Sequence, residues 1–385
     1  MVNPHSFVRR CNQCRHTGTE PLPRLRKKVI YLDQFAISYL AKAGQGFDTA
    51  SQPSDWWRSL YSRIRGLVDL QLVACPVSEF HHTESMVSKI DEVLMGTARS
   101  LSAGAVFHDA GAIRRGQLYL HARLWLQGRA SEEPNLDVTR VIDGRVDGWQ
   151  PRLQIEVKLD VPPDLIEDVR SLRGAFDEGL RSLWPRWRQE DLPFVQRFRE
   201  EAMAYGPTIL GITLQHAQEL HEMASGLAPF VPEAAMAPEA AVVLTSLRHA
   251  MEKRVSEKES LAKSIEYLTS EAMLRVPFNR ISSLLYAALA RKARAGQKRP
   301  PSQGMTTDIR MISALLPYCD AMFIDNEAHA LLSEEPLMTQ IDYGTQLFSL
   351  NTKERFVDYL TEIESSATPE HLELVRAVYG NIQGL

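Results

Sequence analysis

Two short apolar runs constrain this chain more than any other feature: VIYL at residues 29–32 and AMFI at residues 321–324, each followed at once by an aspartate, Asp33 and Asp325. A run this short and without polar alternation suits a strand covered on both faces, as in a parallel sheet. Parallel neighbours need crossover connections, usually helical, which commits the chain to an α/β architecture. Both aspartates then stand beyond the carboxyl ends of their strands, where open parallel sheets form ligand sites. Aspartate is equally at home there as a helix N-cap. What separates cap from ligand is whether further acids reach the same place.

Two more runs read as strands, LQLVACPV at residues 70–77 and GTQLFSL at residues 344–350. Ser78 follows the first as an N-cap for a helix beginning EFHHTES. Helices are expected at 35–43, around Trp56, Leu60, Ile64 and Leu67, at 113–127, 163–183, 191–204, 210–223, 238–253 and 258–295, and at 353–365 and 369–379. TTDIRMISALLPY reads as a helix capped by Thr306 or Thr307, and LQIEVKLDV at 153–161 has the alternation of a half-buried strand. The organisation that follows is an N-terminal arm at 1–28, a first α/β part at 29–95, a mainly helical insertion at 96–304, and a second α/β part with closing helices at 305–385.

The formal net charge of -4 argues against a uniformly basic nucleic-acid coat, so a polyanion must be met by local patches. One is Arg24, Arg26, Lys27 and Lys28; the other is Arg291, Lys292, Arg294, Lys298 and Arg299, which reads either as a solvated linker or as a phosphate contact. No apolar run approaches the roughly 18 to 20 residues of a membrane span, and MVNPHSFVRR lacks a signal-peptide core. The expectation is a cytoplasmic protein without a membrane partner. Cys75 and Cys319 sit in apolar runs as small buried hydrophobes. Cys11, Cys14 and His16 in CNQCRH offer zinc-ligand types, but a structural zinc takes four ligands and the second pair is missing, so an arm without metal is expected.

The helix after Ser78 places Phe80, Val87, Ile90 and Leu94 on one face, with Glu84 at its edge. A carboxylate there needs a partner. Asp308 falls in the first turn of its helix, where the macrodipole favours it. Asp33, Glu84, Asp308 and Asp325 would together set four carboxylates at one end of a sheet, an arrangement unfavourable without cations; oxygen ligands suit Mg²⁺ or Mn²⁺. Gln34 and Ser38 are placed to orient water or to cap. His81 and His82 could touch metal or phosphate, or be merely solvated. Asp320 starts the strand that Asp325 ends and is expected to be structural.

VIYLDQFAISYL, CPVSEFHHTES and DIRMISALLPYCDAMFIDN together resemble the three acid-bearing blocks of the PIN-domain superfamily. The resemblance covers roughly residues 29–95 and 305–350. It implies a three-layer α/β/α fold around a parallel sheet, interrupted here by a large helical insertion foreign to the compact family pattern. It also implies a metal-dependent nuclease in which Asp33, Glu84, Asp308 and Asp325 hold Mg²⁺ or Mn²⁺, with RNA preferred over DNA and the insertion shaping the substrate channel or docking a protein partner. The alternatives are a DNA-directed nuclease or bacterial defence effector using the same acids, and a catalytically silent scaffold that binds nucleic acid or protein.

Overall fold

The structure is a computed structural model; it describes all residues except 1, 4, 12, 45–53, 145, 152–162, 233–234 and 381–385. The expected strand at 153–161 lies outside the described residues. A four-stranded parallel sheet runs in the order Val73–Ala74, Lys28–Leu32, Ala321–Phe323, Gln346–Phe348. The two aspartate-ended runs are therefore the central pair, in register Ile30 to Ala321 and Leu32 to Phe323. From Lys28–Leu32 the chain crosses to one side of the sheet, and it later re-enters on the other side at Ala321–Phe323. The strand order reverses between them, and in open α/β sheets ligands bind beyond the carboxyl ends of strands at such a reversal.

At the amino-terminal ends of the central strands Asp320 joins the pair, its carboxylate accepting from Lys28 Nζ at 2.7 Å and from the Val29 N–H at 2.9 Å. The structural role expected for Asp320 is what the fold gives it. LQLVACPV contributes only two residues to the sheet. Past Ala74 its backbone bonds the 101–107 loop instead, with the Cys75 N–H donating to Leu101 O, the Val77 N–H to Ala105 O, and the Phe107 N–H to Val77 O. Pro76 has no N–H to continue a ladder.

The core is a continuous apolar cluster spanning the sheet and the helices Gln34–Gly44, Ser54–Asp69, Met305–Leu315 and Lys353–Ser365. Trp57 stacks on Tyr39 and meets Phe323 edge-on, and Phe323 packs on Phe356. Each such fully buried aromatic contributes about 2 to 3 kcal/mol over its exposed state. A second core, built from Leu118, Val243, Leu247, Tyr267, Met273 and Phe278, belongs to the insertion. Helix Pro277–Arg294 joins the two: Phe278 packs in the insertion core, while Ile281, Leu285 and Leu289 pack in the core under the sheet.

Two expectations are corrected. Residues 191–204 and 210–223 form one helix, Phe194–Ala224, running through Pro207. The stretch 258–295 is instead broken into Glu257–Thr269, a 3₁₀ turn at Glu271–Leu274, and Pro277–Arg294, because Ser270 caps the turn and Pro277 starts a new helix. The N-terminal arm is ordered: Val2–Asn3, Ser6–Arg10 and Thr17–Pro21 make an antiparallel sheet, held to the body by Val2, Phe7 and Leu22 against Trp149, Val375 and Val378.

Candidate active site

Asp33 is placed by the strand it ends: its N–H donates to Phe323 O on the neighbouring strand at 3.0 Å, and its carboxylate accepts from the Gln34 N–H at 2.7 Å. Asp325 caps the helix Asn326–Leu332, accepting from the Ala328 N–H at 2.6 Å. Cap and ligand are thus compatible roles, since capping occupies one carboxylate oxygen. Asp308 lies in the first turn of Met305–Leu315, whose N-cap is Gly304 in the left-handed region (φ 102°) and neither of the threonines expected there. Glu84 is near the end of the short helix Glu79–Ser85. That helix stops at Ser85 and does not continue through Val87 and Ile90; a new one starts at Asp91, where Asp91 and Glu92 suit a helix N-terminus.

These four acids, drawn from both halves of the chain, feel one another's charge. Asp33 is pushed up to about 7, first by desolvation and then by Glu84, with Asp325 adding to it against the Gln34 N–H. Asp308 is raised well above the carboxylate range by burial and by Asp33, Asp325 and Glu84 in turn. Burial and Glu327 raise Asp325, against the pull of the Ala328 N–H. Ionising all of them together is therefore costly.

Gln34 ties the two acid-bearing segments together, its amide N–H donating to Ser85 Oγ at 3.0 Å. Its Oε1 is buried without a hydrogen-bond partner. Ser38 sits one turn farther along the same helix, half-buried. In charge and donor type this set fits a hard divalent cation. Among the described residues, however, no three His, Cys, Asp or Glu side chains are grouped so that they could hold a metal ion as they stand. The acids share a field without being pre-set at ligand spacing.

His81 is not a solvated side chain. It is buried, with its ring stacked on Tyr31 at 5.0 Å. Its Nδ1 accepts from the Ser78 N–H at 3.0 Å, which leaves Nε2 to donate to Leu32 O at 2.7 Å. Tyr31 and Ser78 are also joined, hydroxyl to hydroxyl, at 3.1 Å. His81 thus clamps the end of the Asp33 strand to the helix that carries Glu84. His82, by contrast, is exposed.

The basic stretch is largely neutralised within the chain. Lys292 pairs with Glu334 at 2.8 Å, Arg291 donates to Glu335 O and lies 3.6 Å from Glu334, and Arg294 pairs with Asp191. Lys298 and Arg299 are exposed.

Another cation went unnoticed in the sequence. Arg310, two residues past Asp308, is half-buried with its guanidinium 5.2 Å over the ring of Phe176, itself 47% exposed. Burial and nearby Arg114 push Arg310 below its usual range, against Glu79. This corner is pinned to the acidic helix by Asp177, which accepts from the Gly304 N–H at 3.1 Å. The available signal was an arginine in the same helical block as Asp308; its aromatic partner is remote in sequence.

Comparisons with family models, with curated proteins and with solved structures found no match to this chain. Among the described residues no helix is long and apolar enough to cross a membrane.

Proposed function

We propose that this chain is a PIN-like, divalent-metal-dependent nuclease of three-layer α/β/α build, acting on RNA phosphodiesters with Mg²⁺ or Mn²⁺. What supports the reading is mutual charge: Asp33 feels Glu84 and Asp325, Asp308 feels all three, and Asp33 and Asp325 follow the two central parallel strands. Asp33, Glu84, Asp308 and Asp325 would hold the ion, which when bound supplies Lewis-acid polarisation of a phosphoryl oxygen and a more acidic water.

The chain's own part begins before substrate arrives. Near neutral pH the Asp33 carboxyl retains a proton for part of the time; a cation held there would have to displace it, and its affinity would rise with pH. Gln34 joins the Asp33 and Glu84 segments through Ser85, and His81 holds the end of the Asp33 strand to the helix that carries Glu84. Arg310 and Arg114, close enough to feel each other's charge, are candidate contacts for the substrate's phosphates. The test is cleavage of end-labelled RNA, and of DNA of the same sequence, with and without Mn²⁺ by the wild type, Asp33→Asn and Asp325→Asn. RNA cleavage that requires metal and both aspartates is expected. Metal-dependent cleavage of DNA alone would select the DNA-directed alternative, and binding without cleavage of either would select the scaffold.

A further inference from the structure

A cavity of about 260 Å³ opens beside the helix Ala110–Leu126. Ala112, Gly116 and Leu120, one turn apart on that helix, form one wall, and Val141 and Tyr318 face it from other segments. The 3₁₀ turn Val138–Arg140 is fixed there by the short antiparallel pair Val106–Phe107 and Ile142–Asp143, and by the His108 N–H, which donates to Val141 O at 2.9 Å. Gly116 adds no side chain to the wall. Its helical backbone does not need glycine, and a Cβ added there would meet nothing within 4 Å. None of the four acids lines this cavity. Tyr318 follows the C-terminal end of the helix Met305–Leu315, whose first turn carries Asp308, and roughly 10 Å of helix separates the two ends.

Two exposed arginines, Arg123 and Arg140, also line the cavity. Arg115, on the same helix as Arg123, is paired with Glu239, and Arg129, just past its end, with Glu132. Arg123 and Arg140 form no ion pair among the described residues. The one acid in the lining, Asp137, is engaged by Thr139, whose N–H and hydroxyl donate to it at 3.0 and 2.8 Å. Two guanidiniums against one carboxylate leave the cavity cationic in a chain whose formal net charge is -4. The same walls carry the rings of Tyr119 and Tyr318.

We propose that this cavity binds a mononucleotide, its base against Tyr119, Leu120 and Tyr318 and its phosphate on Arg123 and Arg140. A guanidinium presents a planar fork of N–H donors that matches a phosphate, and aromatic side chains offer a base a face to pack on. Neither half of the lining accounts for the other: an apolar ligand would leave the two arginines unused, and a bare anion would leave the rings and Leu120 unused. The volume lies a little below the roughly 300 to 1,000 Å³ of ordinary ligand pockets, which suits one nucleotide and not a strand. The site is separate from the carboxylates and does not depend on their chemistry.

The test is calorimetric titration of the full chain, in chelator and without divalent metal, with the ribonucleoside 5′-monophosphates of adenine, guanine, cytosine and uracil, beside the matching nucleosides and inorganic phosphate. Expected is one-to-one binding of at least one monophosphate, about tenfold or more tighter than its nucleoside or phosphate alone. Gly116→Leu fills the cavity from a helical position with room for a side chain, so it should abolish binding without lowering the thermal midpoint, leucine being the better helix former. Arg123→Gln and Arg140→Gln, both at exposed positions, should each weaken binding about tenfold with circular dichroism unchanged. Asp33→Asn should bind as the wild type does. No binding of any of the monophosphates, equally tight binding of phosphate alone, or binding unchanged in a folded Gly116→Leu or in both arginine variants would overturn the proposal. Loss of binding in Asp33→Asn would place the nucleotide at the carboxylates and overturn it as well.

Discussion

Replacing His81 with leucine tests the clamp between the Asp33 strand and the Glu84 helix, and the size of the effect follows from two parts. The first is hydrogen bonding. Leucine leaves the buried Ser78 N–H and Leu32 C=O without the partners His81 gave them, at about 1 to 3 kcal/mol each, so stability at neutral pH should fall by about 2 to 6 kcal/mol. The second is protonation. Burial pushes His81 down to about 4 from 6.5, outweighing its bond to Leu32 O, while His82 adds to the depression. A depressed folded-state pKa means that the unfolded chain takes up the proton first. The contribution is therefore present above about pH 6.5 and is lost as pH falls towards 4. Between pH 7.5 and 5 linkage makes that loss about 2 kcal/mol. Urea unfolding of both proteins at the two pH values isolates it, because other groups titrate in both: the wild type should lose about 2 kcal/mol more than the variant. His81→Gln, which retains a donor and an acceptor, should recover part of the neutral-pH stability. Parallel losses in wild type and leucine variant would show that His81 is not held neutral, and an unchanged neutral-pH stability would remove the clamp.

Asp33→Asn should abolish Mn²⁺-dependent cleavage. In metal-free buffer it should also raise the unfolding midpoint at pH 8: a folded pKa raised to about 7 means that wild-type stability falls as pH climbs from about 4 through 7, and asparagine removes that fall. A midpoint at or below wild type would refute the strain assigned to the acids. Gly206→Ala should lower the thermal midpoint by several degrees, since an added Cβ would lie 1.8 Å from Leu268 O and force the helices Phe194–Ala224 and Glu257–Thr269 apart; an unchanged midpoint would mean that the insertion yields there freely. In an Asp33→Asn background without metal, Arg310→Gln should weaken oligonucleotide binding and flatten its salt dependence by roughly 0.7 per lost phosphate contact on a single strand. Phe176→Ala should weaken binding with little change in that slope, as expected for a stacking contact. Fluorescence anisotropy across a salt series reads both, and identical curves for all three proteins would place the substrate path elsewhere.

What was legible beforehand was what short-range pattern encodes. The strand pair ending in Asp33 and Asp325 could be read because an apolar run bounded by an acid needs no distant partner to be recognised. The closing helices Lys353–Ser365 and Pro369–Tyr379 carry their own punctuation, with Thr368 accepting from the His371 N–H and Pro369 in the first turn. Boundaries failed where a tertiary contact outweighed periodicity. Val87 and Ile90 continue a helical stripe on paper, yet the helix ends at Ser85; Pro207 should end a helix, yet Phe194–Ala224 continues through it, packed so closely that only glycine fits at 206 beside Leu268.

The site divides along the same line. Residue types and order determined which acids this chain has to offer, because an aspartate after a buried strand and a glutamate on the following helix are local facts. Only the tertiary structure decided how they act together. Asp33 is raised because folding sets Glu84 and Asp325 near it and removes water. His81 changed from a helix-surface histidine to a neutral clamp because Leu32 O lies across from it. Arg291, Lys292 and Arg294, a free basic run in sequence, are paired with Glu334 and Asp191, whereas Arg310 gained an aromatic partner on a distant helix. Charge and hydrogen-bond energies depend on distance and solvent exposure, and neither exists until the chain has folded.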